Sequence, residues 1–163
     1  MFCYLDKSQK DYWLPQLFDL LYENMRSISP SGMSYEQDRN QWLAAVSPAL
    51  EKAPRQIIMC FAGTELAGFV QYYIRDQLLM IEEIQLRKEY HRTMLFYQFC
   101  KHLISVIPDN LQTVEAYADK RNLNSIRLMK KLGMRILEED PDSPFIHMHG
   151  EAGRICRFFR RYP

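Results

Sequence analysis

Asn122-Leu123-Asn124-Ser125-Ile126-Arg127-Leu128-Met129-Lys130-Lys131-Leu132-Gly133-Met134 reads as a short helix that carries its own start and stop. Asn122 suits the N-cap, because its side-chain oxygen accepts a backbone N–H of the first turn. Ser125, Leu128, Met129 and Leu132 fall on one face at helical spacing. Lys130 and Lys131 lie at the negative end of the helix dipole, and Gly133 supplies the left-handed residue that ends it. Residues 112–118, immediately before, read as a strand. About 30 residues upstream stands a second one, Ile81-Glu82-Glu83-Ile84-Gln85-Leu86-Arg87-Lys88-Glu89-Tyr90, running out into a loop.

Outward from these two segments the chain punctuates itself clearly. Residues 2–5 form a short apolar start, an expected edge strand. A helix is expected over 11–26, where Leu14, Leu17, Phe18, Leu21 and Met25 make an apolar stripe and Pro15 is tolerated near its start. Ser29-Pro30-Ser31-Gly32 breaks it, and Ser34 with Gln37 then forms a capping box for a second helix over 35–46, bracketed by Pro48 and Pro54. Residues 57–61 and 66–74 are strands joined by Ala62-Gly63-Thr64-Glu65, and Asp76-Gln77 turns into a third strand, 78–86. A core-facing helix over 93–107 ends at Pro108-Asp109-Asn110. After the loop 140–144, residues 145–149 and 154–159 are expected to close the chain as a hairpin about Gly150-Glu151-Ala152-Gly153.

Three strands joined by short turns form an antiparallel meander, whereas the strand–helix–strand step from Leu78 to Ala118 requires a parallel pair. The expected fold is therefore α+β: one domain over residues 1–163, with a mixed, mostly antiparallel sheet of about six or seven strands flanked by about four helices. A chain of 163 residues buries roughly two-thirds of its unfolded surface, so it needs no metal or disulfide staple. Cys3, Cys60, Cys100 and Cys156 are far apart and form no Cys-x-x-Cys pair, which suggests reduced thiols in a core. With 21 basic against 20 acidic residues, no global field favours nucleic acid. No apolar run is long enough for a membrane span and no leader pattern opens the chain, so a soluble, cytoplasmic protein is expected.

The strand, Asn, short helix, Lys-Leu-Gly-apolar pattern at 112–134, with the strand at 81–90 before it, resembles the Gcn5-related N-acetyltransferases, the GNAT family of acyl-CoA N-acyltransferases. The resemblance implies the acyl-CoA N-acyltransferase fold over nearly the whole chain and acetyl-CoA as co-substrate, with no metal. It further implies a primary amine of a small molecule or polypeptide as acceptor. In the family the pantetheine arm pairs with the central strand, here at Ile84 and Leu86, and the pyrophosphate rests on amides of the following loop and helix start. Those positions are His91, Arg92, Thr93, Met94, Leu95 and Phe96. The family has small residues at two of them, where this chain has Met94 and Phe96. Asn122 matches a residue that contacts the coenzyme. The family's tyrosine acid is replaced by Met129; Tyr117, Tyr97 and Cys100 are candidate substitutes. These departures keep a second reading alive, a non-catalytic module of the same fold.

Amine acylation needs a base to take the amine proton. Glu82 and Glu83 are the candidates, and strand alternation sets them on opposite faces; Glu82 shares the parity of Ile84 and Leu86 and is favoured on that ground. His147 and His149 face one side of a strand without the spacing of a zinc site. The apolar closing hairpin and the basic–aromatic tail at 158–162 suggest a homodimer contact or a cover over the acceptor pocket.

Overall fold

In a computed structural model of the chain, described for residues 1–52, 54–91 and 93–161, one mixed sheet carries helices on both faces. The described elements run β1 (Phe2–Tyr4), α1 (Lys10–Met25), α2 (Tyr35–Lys52), β2 (Arg55–Ala62), β3 (Glu65–Arg75), β4 (Leu78–Leu86), α3 (Met94–Val106), β5 (Thr113–Asp119), α4 (Leu123–Lys131), β6 (Arg135–Glu138), β7 (Phe145–Glu151) and α5 (Ala152–Arg160). The seven strands lie in the order β1-β2-β3-β4-β5-β7-β6. Among them only the β4–β5 pair is parallel, with α3 as the crossover between its strands; β6, returned in the direction of β5 by α4, is separated from it by the antiparallel β7.

Alternation along β2 divides the core. Ile57 and Met59 join Leu14, Leu17 and Leu50 under α1 and α2, while Ile58 and Cys60 join Phe99, Leu103, Ile126 and Phe159 under α3, α4 and α5. A strand buried on both faces has to be apolar at every position, as Ile57 to Phe61 is. α2 passes through Pro48 rather than ending before it. Val46 and Leu50, one turn apart, are both buried against the sheet, and that packing outweighs the hydrogen bond the proline removes.

The closing hairpin does not form. Residues 154–159 belong to α5, and β7 pairs instead with β5 and with β6, a short exposed strand. Ala152, Ile155 and Phe159 are buried at intervals of three and four residues while Arg154, Arg157 and Arg160 are exposed. That is a helical period, and it turns Ile155 and Phe159 into the core, as β7 does Ile146 and Met148, while Phe145 stays exposed. Gly150 is not a turn residue either. It sits in β7, where a Cβ would come 3.0 Å from Met134 Cγ. Among the described residues no helix is long and apolar enough to cross a membrane.

Candidate active site

β4 is bonded to β3 along its whole length, from Arg75↔Leu78 to Gly68↔Leu86, but to β5 only from Leu78↔Thr113 to Ile81↔Ala116. Beyond that pair the two strands diverge. The divergence coincides with a bulge: Gln71 faces Glu83 and Tyr72 faces Ile81, so Glu82 is an extra residue on β4. A cavity of about 250 Å³ opens in the wedge, edged by Glu82, Glu83 and Gln85 on one side and by Tyr117, Asp119 and Asn122 on the other.

The bulge also overturns the expected placement of the two glutamates. Glu83 accepts from Gln85 Nε2 at 3.0 Å, and Gln85 Oε1 accepts from Asn24 Nδ2 on α1 at 3.0 Å. Glu82 accepts from Gln71 Nε2 at 3.0 Å and from the Arg55 guanidinium at both oxygens. Gln71 lies opposite Ile57, on the α1–α2 face. Both carboxylates therefore approach one face, opposite to that of Ile84 and Leu86, and the parity argument for Glu82 fails because one inserted residue reverses it.

Their chemistry differs. Glu82 is held in an ion pair that also raises the basicity of Arg55. Glu83 has no such cation among the described residues; burial pushes its carboxyl up from 4.5 to about 7, with the charge of Glu82 adding to the rise and the Gln85 hydrogen bond opposing it. A carboxyl poised near neutrality on the wall of a cavity suits proton acceptance; a fork-paired carboxylate suits structure. Removing only Arg55 should strand the Glu82 charge. Arg55→Met is expected to cost about 2 kcal/mol and lower Tm by roughly 4–8 °C, with Arg55→Met/Glu82→Gln recovering most of the loss in thermal melts.

The predicted coenzyme residues divide in the structure. Arg87 N–H donates to the Ala67 carbonyl at 2.8 Å, so by antiparallel alternation the backbone groups of Ile84 and Leu86 turn away from β3 toward the wedge. The Leu86 carbonyl already accepts from Asn24 Nδ2 at 2.8 Å and from His91 Nε2 at 2.9 Å. Ile84 lies beyond the last β4–β5 pair, and among the described residues both its backbone groups are open to an extended arm. At the loop, His91 N–H is bonded to Lys88 O, Thr93 N–H to Tyr90 O, and Leu95 N–H to Thr93 Oγ1 at 3.2 Å. The amides of Met94 and Phe96, in the first turn of α3 and without intrahelical acceptors, are the ones suited to an anion. Phe96 turns inward onto Phe159, with ring centroids 6.3 Å apart, and Met94 points outward, so neither covers its own amide from the core side. Arg92 lies outside the described residues. Asn122 caps α4 as expected, Oδ1 accepting from Ser125 N–H at 3.2 Å, and also edges the cavity.

Met129 is buried against the cavity, and Tyr97 packs between Phe96 and Phe159. Burial pushes the Cys100 thiol far up, which removes it as a proton donor at neutral pH. Tyr117 is different: it is exposed at the mouth of the wedge, one residue beyond the last β4–β5 pair, and stacks on His147 at 4.3 Å. His147 Nε2 is 2.9 Å from Glu115 Oε2, an anchoring pair that the sequence reading missed. Asn24 and Arg55 were missed too. Only Asn24 left a trace, as a polar residue among the apolar positions of α1, because its partners lie about 60 residues away.

A mixed sheet split between its parallel central strands, with an anion-ready helix start beside the split, defines the acyl-CoA N-acyltransferase fold. The model of the Acetyltransferase (GNAT) family matches residues 14–134, and the chain belongs to that family. Its fold is similar to that of PaiA N-acetyltransferase from Thermoplasma acidophilum, solved with coenzyme A (15% identity, TM-score 0.63, covering 93% of this chain and 98% of that one). It is similar to an acetyltransferase from Thermus thermophilus (14%, TM-score 0.69, 93% and 97%). An aminoglycoside 6'-N-acetyltransferase complexed with coenzyme A is also similar (12%, TM-score 0.65, 93% and 96%). No curated protein matches the chain.

Proposed function

We propose that the protein is an acyl-CoA-dependent N-acetyltransferase that moves an acetyl group from acetyl-CoA to a primary amine of a small molecule or polypeptide, with Glu83 as the base. The observation that carries this reading is a carboxyl pushed up to about 7 at the split, beside a strand whose Ile84 backbone turns to the opening. Bound there, the thioester supplies an electrophilic carbonyl. Glu83 takes the amine proton as the new N–C bond forms and the C–S bond breaks, and Tyr117 protonates the departing thiolate at the mouth of the wedge. Proton return from Glu83 to Tyr117 through solvent closes the cycle. The amine enters from the α1–α2 face, where the loop 26–34 is tied to the turn after β5 through Arg121 Nη2 donating to Ser29 Oγ at 3.1 Å.

A second reading, a binding or regulatory module of the same fold, is favoured by one observation: Thr93 and its neighbours already satisfy three of the loop amides. Thermal melting with acetyl-CoA separates the two. At about 100 times its dissociation constant the ligand stabilises by about 2.7 kcal/mol, a rise of roughly 5–10 °C for a chain of this length. No rise at millimolar acetyl-CoA would favour the module. Release of free thiol in the presence of an aminoglycoside or a lysine-bearing peptide then reports turnover.

A further inference from the structure

We propose that the cavity accepts acyl chains longer than acetyl and houses them on the α3–α5 side of the sheet; this rests on the coenzyme-dependent reading above. The cavity is not uniform along its length. All of its charged and amide-bearing walls stand at the split, whereas away from the split it is lined by Leu79 and Val114, by Ile104 of α3 and Ile107 just past its end, and by Ile155 and Cys156 of α5. Leu79 and Val114 lie directly opposite each other in the bonded part of β4 and β5. Strands already paired there present no backbone groups to a pantetheine amide, and a polar ligand would forfeit its hydrogen bonds. An alkyl chain meets no such penalty and gains by leaving water.

The dimensions agree. Gln85 and Leu79, which both line the cavity, are six residues apart on one strand, or roughly 20 Å. An arm reaching the split beside Glu83 therefore leaves the stretch from Ile81 down to Leu79, and one further turn of α3, for whatever the thioester carries. At about 250 Å³ the whole cavity exceeds the ~150 Å³ apolar space known to hold benzene. α5 supplies the outer wall, so the helix that the sequence disguised as a strand is what makes this end a pocket rather than an open groove. The transfer itself is unchanged: the N–C bond forms, the C–S bond breaks and the protons move as above, with the longer acyl group on the carbonyl carbon.

The test is calorimetric binding of acetyl-, butanoyl-, hexanoyl- and octanoyl-CoA to the full chain, alongside Ile104→Trp and Cys156→Trp, which fill the pocket from opposite walls. Affinity is expected to rise about threefold per added methylene over the first few, making hexanoyl-CoA at least tenfold tighter than acetyl-CoA. The hexanoyl-to-acetyl ratio should fall to about one in each folded variant. If one variant fails to fold, Ile104→Phe replaces it. Acetyl-CoA binding with no gain for longer chains would overturn the pocket and leave the acetyltransferase reading standing. A gain that survives both variants would put the chain elsewhere and overturn it too. Binding of none of the four would overturn both.

Discussion

Glu83→Gln is expected to lower turnover at pH 8 by about 100-fold or more while acetyl-CoA affinity changes by less than about twofold. Glutamine keeps the shape and the hydrogen bond to Gln85 but cannot take a proton. Glu82→Gln should cost turnover far less, since Glu82 is already committed to Arg55 and Gln71. A collapse in Glu82→Gln with Glu83→Gln unaffected would reverse the assignment. In the wild-type chain the rate should rise with pH through about 7, because the base works only when deprotonated. Stability should move the other way. With a folded value of about 7 against 4.5 unfolded, the native state holds the proton more tightly between these limits. The penalty for ionising Glu83 is therefore absent below 4.5, grows with rising pH and is complete above 7, up to about 3 kcal/mol. Glu83→Gln should flatten that part of the stability profile in thermal melts at pH 4 to 8. A glutamate exposed to water would give neither the activity limb nor the slope.

What the sequence made legible follows from how far each signal reaches. Asn122 as a cap, Gly133 at φ +89° and the β2–β3 hairpin are settled by residues within one turn of each other, and each stands where the spacing put it. The β4–β5 split is a matter of register between segments distant in sequence. Nothing in Ile81-Glu82-Glu83-Ile84 announces that Tyr72 will face Ile81 while Gln71 faces Glu83, so two-residue alternation assigned both glutamates to the wrong relation. Arg55, which pairs Glu82, and Asn24, which holds the Gln85 that bonds Glu83, come from other elements for the same reason. The coenzyme loop shows a subtler limit. Met94 and Phe96 look alike as obstructions in sequence, yet helix geometry sends one outward and the other into the core.

Phe159→Ala is expected to destabilise the protein by about 3–5 kcal/mol and to lower Tm by about 10 °C or more. Phe159 is 3% exposed and its ring meets Phe96, Tyr97 and Phe158, so truncation leaves a void where α3 and α5 meet beside the cavity. The companion substitution decides the geometry. On a strand, residues 155, 157 and 159 would share one face, and Arg157→Ala would disturb the same contacts. On a helix, Ile155 and Phe159 face inward one turn apart and Arg157 faces water, so Arg157→Ala should stay within about 0.5 kcal/mol of wild type. Equal losses for the two would restore the strand and remove the wall of the proposed acyl pocket. A large loss confined to Phe159 makes the C-terminal helix part of the core, and places the control of cavity depth in the last turns of the chain.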